Sequence, residues 1–303
     1  MMKTLLVAFL FTVSSLSAFE YALKPVRVTS NVHCFFGAPE VMNKTNNGNI
    51  VNSCYVDAGE GYIVIDTGPS YAYAESAYNA MKKIKPLPVK LVINTHIHDD
   101  HWLGNGFFTQ NGVSVVGSDD FLHNVNVHEA TRMQSTISPE AYKGTEMSLP
   151  SEMISQSTRK KVGNLDVELK IIPRMAHTTK DLVVYFPKLG VLFAGDLVFN
   201  DRLPSVKGGN INGWITTLEE LEAMGALHVI GGHGRNSDKN SSKMTHEYLS
   251  QMRSEIRSAI DSGMGIDETI KKVQMREYRS LKLYDAMQGG NVEASYRVLE
   301  WEQ

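Results

Sequence analysis

"NTHIHDDHWLGN", residues 94–105, sets three histidines and two aspartates within the six positions His96 to His101, directly after the apolar run "VKLVI". Groups so polar are poor material for a core, a helix interior or a strand, because burying them unpaired is costly. The Val/Leu/Ile run before them reads as a buried strand. The cluster therefore belongs to the loop at that strand's end. In extended backbone His96 and His98 project to the same side. Asp100 and His101 face a second position as the chain turns into the helical start "HWLGNGFF". Imidazole and carboxylate are donors that borderline divalent metals such as zinc accept. Without a metal, three imidazoles and a carboxylate would have to be satisfied in some other way.

The pattern recurs along the chain. "AHTTKD", "FAGD" and "GGHG" each follow or end an apolar β-like run and carry His177, Asp196 and His233. Loops at strand ends, held by a rigid sheet, are where binding groups commonly project. Four such loops converging on one rim make seven candidate ligands: His96, His98, Asp100, His101, His177, Asp196 and His233. Three histidines suit one zinc. Asp100, His101 and a distant histidine suit a second, with a carboxylate bridging both. Two metals about 3.5–4 Å apart hold a hydroxide between them. His33, His123, His128, His228 and His246 lie outside these loops and receive no role.

The rest of the chain reads as alternating strands and helices. Residues 26–66 are strand-like and end in "GYIVIDTG". A helix is expected over 70–85, strands at "VKLVINT" and "GVSVVGS", and helix through 119–160 with interruptions at Pro139 and Pro150. "LDVELKIIP" and "DLVVYFPKLGVLFAGD" read as strands, residues 213–225 as a helix, "LHVIGGHG" as a strand, and nearly everything from His246 onward as helix. This alternation indicates an α/β protein. With no linker in sight, residues 19–303 are expected to form one domain with a helical C-terminal segment.

The N-terminus "MMKTLLVAFLFTVSSLSAFE" has the n, h and c order of a secretory signal peptide, residues 1–18, with cleavage after Ser17 or Ala18. Its apolar run, Leu5 to Val13, is short of the roughly 20 residues of a membrane span. The expected product is a periplasmic or secreted protein with no membrane anchor after cleavage. In such a compartment Cys34 and Cys54, on two β-like runs, form either a cross-strand disulfide or two buried thiols. A net charge of −3 and a pI near 6.4 argue against a nucleic-acid partner. The expected partner is a small-molecule substrate.

"THIHDDH", "AHTTKD", "FAGD" and "GGHG" stand in the order and approximate spacing of the metallo-β-lactamase-fold hydrolases, and the upstream "VIDTG" turn is another feature of that superfamily. The resemblance implies a four-layer αβ/βα sandwich with a dinuclear zinc site along one edge, iron or manganese being the alternative metals. Carried over, it assigns His96, His98 and His177 to the first metal, Asp100, His101 and His233 to the second, and Asp196 to the bridge. It implies a hydroxide attacking an ester, thioester, lactone or amide, with Asp100 as the catalytic residue that orients the water and carries its proton. The leader, "NDRLPSVKGGNINGW" and "LYDAMQGGNVEASYRVLEWE" resemble more narrowly the exported metallohydrolases associated with quinoprotein relays and sulfur oxidation. Asp196 stands where true metallo-β-lactamases generally carry Cys or Ser, which points toward the glyoxalase-like and lactonase-like branches. Two other classes compete: a mononuclear iron persulfide dioxygenase-like oxidoreductase, and a non-catalytic zinc-binding accessory protein. Around the site, residues 199–214 with Trp214 are expected to form one flank, and Phe35, Phe36 and the turn 42–49 the opposite wall.

Overall fold

A computed structural model of the chain describes residues 19–125 and 127–302; the expected signal peptide lies outside them. The first sheet is built from β1 (Val26–Arg27), β2 (Val32–Phe35), β3 (Ser53–Asp57), β4 (Tyr62–Ile65), β5 (Val89–Ile93), β6 (Val115–Ser118) and β7 (Glu152–Ile154), side by side in that order. The second runs β12-β11-β10-β9-β8, from β8 (Thr158–Val162), β9 (Leu165–Ile171), β10 (Leu182–Phe186), β11 (Val191–Phe199) and β12 (His228–His233). Pairing is antiparallel from β1 to β4 and parallel from β4 to β7. In the second sheet only β11–β12 is parallel.

The central strands are apolar on both faces, and side-chain alternation sorts them into two cores. Cys54, Val56, Ile63 and Ile65 point to the space between the sheets and meet Val167, Leu169, Val184 and Phe193 there. Tyr55, Tyr62 and Val64 point the other way, against Tyr73, Ala77 and Met81 of α1 (Tyr71–Ile84). Ser70 caps that helix by accepting a hydrogen bond from the Tyr73 amide, and Lys82 and Lys83 occupy its last turn, both favourable placements. Its limits agree with the expectation.

Short helices follow: α2 (Asp99–Trp102), α3 (Asn105–Thr109), α4 (Asp120–His123), α5 (Val127–Thr136) and α6 (Pro139–Tyr142). Outside the second sheet lie α7 (Ile211–Ala223), α8 (Lys243–Asp261), α9 (Ile266–Lys272) and α10 (Tyr284–Trp301). There Trp214, Leu218, Tyr248, Met252 and Leu299 pack against Leu192, Ala194 and Val198. The layers are helix, sheet, sheet, helix, as the resemblance implied. No helix among the described residues is long and apolar enough to cross a membrane.

The expected helix over 119–160 requires correction. It ends at Tyr142, and β7 and β8 occupy 152–162. β8, "TRKKV", is an edge strand whose charged residues show no apolar alternation, a common protection of sheet edges. The signal for it lies in the Gly163–Asn164 turn that folds Val162 back onto Leu165, a hairpin dipeptide. The cysteine alternatives resolve as a disulfide: Cys34 and Cys54 are opposite partners on β2 and β3, and their sulfurs are bonded.

Candidate metal centre

The site forms where the two sheets meet edge to edge. The Leu182 amide donates to the Thr95 carbonyl at 2.8 Å, and the Asn52 amide to the Gly232 carbonyl at 2.8 Å. Asn52 Nδ2 adds bonds to the Gly231 and Gly234 carbonyls. The crossing is tight enough to dictate glycines. A Cβ on Gly195, itself at φ +54°, would lie 2.7 Å from the Thr95 side chain, and one on Gly232 would lie 2.0 Å from Asp196 Oδ1. The glycines of "FAGD" and "GGHG" thus let Asp196 and His233 approach the loop after β5.

All seven expected residues come together in two adjoining groups: His96, His98, His177 and Asp196, then Asp100, His101 and His233. Six are buried and His98 is partly so. In the first group His98 Nδ1 lies 3.0 Å from both His96 Nε2 and His177 Nε2. Tetrahedral zinc ligands at 2.0–2.1 Å stand roughly 3.3–3.4 Å apart, so three ring nitrogens this close fit one cation. Asp196 spans the groups. Its Oδ2 lies 3.3 Å from His177 Nε2 and 3.7 Å from His96 Nε2, and its Oδ1 3.2 Å from His101 Nε2 and 3.3 Å from His233 Nε2. Asp100 Oδ2 is 3.6 Å from His233 Nε2.

The donor chemistry suits a metal. His101 Nε2 and Asp196 Oδ1 are buried and within reach of each other, yet neither has a hydrogen-bond partner. Burial, reinforced by neighbouring histidines, pushes His96 well below the usual histidine range and His98 down to about 3, leaving neutral rings of the kind a cation needs. Burial opposes the charge on Asp196 as well, but the histidines on its other side, His233 and His101, prevail and hold its carboxyl well below the usual range. The same contest raises His101 against its burial, through Asp196, Asp66 and Asp100.

A second layer of residues, to which the sequence reading gave no role, fixes the rings. Asp66, the aspartate of "VIDTG", sits at φ +54°, a left-handed conformation rare outside glycine. It accepts from the Thr95 amide and hydroxyl and meets His101 Nδ1, each at 2.8 Å. His233 Nδ1 donates to the Ile50 carbonyl at 2.7 Å, which leaves its Nε2 as the bare nitrogen. The His177 amide donates to Asp181 Oδ2. Asp66 and the Ile50 carbonyl orient the His101 and His233 rings and raise their basicity, whereas Asp181 holds the backbone of the His177 loop and not the ring. Asp66 and Asp181 stand in motifs legible in the sequence; Ile50 acts through its backbone and carries no such mark.

The groups open into a cleft of about 680 Å³. From residues 199–214, Phe199, Arg202, Ser205, Lys207 and Gly208 line it as expected, but Trp214 does not. Trp214 is fully buried behind His177, ring centroids 5.0 Å apart. On the facing wall Val41, Met42 and Ile50 contribute. Phe35 and Phe36 instead pack in the cores, because their strand end points inward. His128, assigned no role from sequence, also lines the cleft.

The chain resembles known proteins in sequence and in fold. The family profile of the metallo-beta-lactamase superfamily matches residues 46–233. A linear primary-alkylsulfatase from Pseudomonas sp. (strain ATCC 19151) is 22% identical over 261 residues, covering 73% of this chain and 49% of the relative. The chain thus spans about half the length of that relative. Metallo-beta-lactamase IND-1 from Chryseobacterium indologenes is 25% identical over 227 residues, 71% of this chain and 82% of the relative. Among solved structures, a metallo-beta-lactamase from Pontibacter korlensis aligns with a TM-score of 0.59 at 24% identity, over 75% of this chain and 99% of its own. Metallo-beta-lactamase IND-7 gives 0.57 at 23%, over 76% and 98%.

Proposed function

The chain belongs to the metallo-beta-lactamase superfamily, and from that premise we propose that it is an exported dinuclear zinc hydrolase acting on an acyl substrate: an ester, thioester, lactone or amide. One observation carries the reading. Asp196 presents one carboxylate oxygen to the histidines of each group, which is what a residue shared by two cations requires. His96, His98 and His177 with Oδ2 would hold one zinc; Asp100, His101 and His233 with Oδ1 would hold the other. Bound there, zinc supplies a hydroxide at neutral pH and polarises the scissile carbonyl.

The chain's own residues do the rest. Asp66 and the Ile50 carbonyl keep His101 and His233 in the tautomer that points Nε2 into the site. Asp100, which lines the cleft, orients the attacking water and carries its proton toward the leaving group. The alkylsulfatase relative adds sulfate esters to the substrates worth testing.

The test is elemental analysis of the purified protein followed by a panel of esters, thioesters, lactones, an alkyl sulfate and a chromogenic cephalosporin. About two zinc per chain and turnover of an acyl substrate are expected. One iron, no zinc and oxygen uptake on a persulfide would replace this reading with the redox one. Fractionation of cells expressing the full chain, with sequencing of the mature N-terminus, checks export; a product retaining residues 1–18 overturns it.

A further inference from the structure

Helix α10 carries two glycines in its interior, Gly289 and Gly290. Glycine is a poor helix former, because it loses more backbone freedom on folding than any other residue. A glycine inside a helix is usually explained by a neighbour that packs too close for a side chain. That is not so here. A Cβ on Gly290 would meet nothing within 4 Å, and one on Gly289 would come no closer than 3.7 Å, to Ile270 Cγ2. What Gly290 preserves is open space. The outer face of a surface helix ordinarily carries charged and polar side chains, yet one turn to either side of Gly290 stand Ala286 and Ala294.

The space is a hollow of about 510 Å³ between α10 and residues 205–207. It shares Ser205, Lys207, Ala286 and Met287 with the cleft over the metal groups, so the two form one trough. Its far wall is held in place. Asn291 Nδ2 donates to the Pro204 carbonyl at 2.9 Å, and Asn291 Oδ1 accepts from the Val206 amide at 3.2 Å. The Leu203 amide donates to the Lys282 carbonyl and the Lys282 amide to the Asp201 carbonyl, both at 3.0 Å.

The polar groups along the hollow are already engaged. Asn291 is committed to that backbone and to the Tyr248 hydroxyl. Glu293 and Arg297 pair with each other one turn apart, Oε1 to Nη2 at 2.8 Å. What remains to receive a guest is Ala286, Gly290, Ala294 and the adaptable thioether of Met287, while Lys207 can lay its methylene stem along the guest and keep its ammonium in water. Ala286 to Ala294 spans about 12 Å along the axis at 1.5 Å per residue, room for a chain of roughly eight to ten carbons. We propose that this hollow is a subsite for an unbranched apolar chain, the acyl or alkyl tail of a substrate whose scissile group lies at the metal groups. This deepens the hydrolase reading and rests on it for the word substrate.

Two ester series on the zinc-loaded protein test it. p-Nitrophenyl acetate through decanoate lengthens the acyl side, and butyl through decyl acetate the alcohol side. In one series kcat/KM should rise roughly two- to fourfold per methylene buried, and that series identifies which side of the scissile bond enters the hollow. Gly290→Leu plugs the hollow and should flatten the rise with zinc content unchanged. Its thermal midpoint should hold or increase, because leucine favours a helix more than glycine does, so a lost chain preference would not reflect a damaged fold. No rise in either series overturns the proposal, and so does a rise that survives in Gly290→Leu. If Gly290→Leu fails to fold, Ala294→Met is read in its place by the same criterion. Failure of the hydrolase reading looks different: no ester is turned over. Titration calorimetry with butan-1-ol and octan-1-ol then decides, tighter octanol binding that Gly290→Leu abolishes upholding the subsite and binding indifferent to Gly290→Leu refuting it.

Discussion

Two residues give the centre its character. Asp196 reaches histidines on both sides, so removing it leaves two cations facing each other in a site of low dielectric, where like charges repel strongly. His233→Ala removes one neutral ligand and leaves the shared carboxylate in place. Asp196→Ala should therefore lose at least one metal and more activity than His233→Ala, read as zinc content and turnover at equal total zinc. Two tightly held metals in Asp196→Ala would mean that Asp196 is no bridge. Asp66 acts at one remove. Its three bonds, held at an unfavourable φ, align His101 without Asp66 being a ligand itself. Asp66→Asn keeps the shape and removes the charge, and the weaker site should lose roughly 10–100-fold in metal affinity. Competition against a chromophoric chelator measures this; unchanged affinity would reduce Asp66 to a turn residue.

At the scale of strands and loops, the disulfide joins β2 to β3 within the core between the sheets, and although Cys54 shares a small void with Asp66, Thr95 and Gly232, neither sulfur belongs to the metal groups. The Cys34→Ser, Cys54→Ser double variant should lose about 3 kcal/mol, the entropy of closing a loop of this size, yet keep its full metal content. Denaturant melts and elemental analysis of the folded variant check both halves of that statement; loss of zinc from folded protein would tie β2 and β3 to the centre. The same elements show where sequence is informative. Strands β4 and β5 are legible because their apolar runs stop abruptly at Asp66 and Asn94, whereas β11, read as ending at Asp196, runs on through it to Phe199. The ligand loops are legible because His and Asp cluster where no core could hold them. β8 was not, since an edge strand of Arg and Lys looks like a solvated helix face. The Ile50 carbonyl was not, because a backbone acceptor 183 residues from His233 leaves no mark in its own side chain.

Across the whole molecule, the donors divide between the sheets. His96, His98, Asp100 and His101 follow β5 of the first, whereas His177, Asp196 and His233 belong to the second. Each group contains members from both, so a cation in either one fastens sheet to sheet, at the edge where Asn52 and Thr95 already bind across. The remaining contact between the sheets is the apolar layer of Val56, Ile65, Val167 and Phe193, which needs no metal. The metal-free protein should therefore stay folded but be less stable. Metal at a thousandfold above its dissociation constant contributes about 4 kcal/mol. For a chain of this size each kcal/mol moves the thermal midpoint by roughly 2–4 °C, so stripping the metal should lower it by about 10 °C. Hydrogen exchange should then speed up first at residues 94–101, 176–181 and 231–234, while the α7–α8 core stays protected. Scanning fluorimetry and exchange, with and without a strong chelator, read both effects. A midpoint that does not move once the metal is gone would show that the two sheets hold their edge together unaided, and that the cluster is built for chemistry alone.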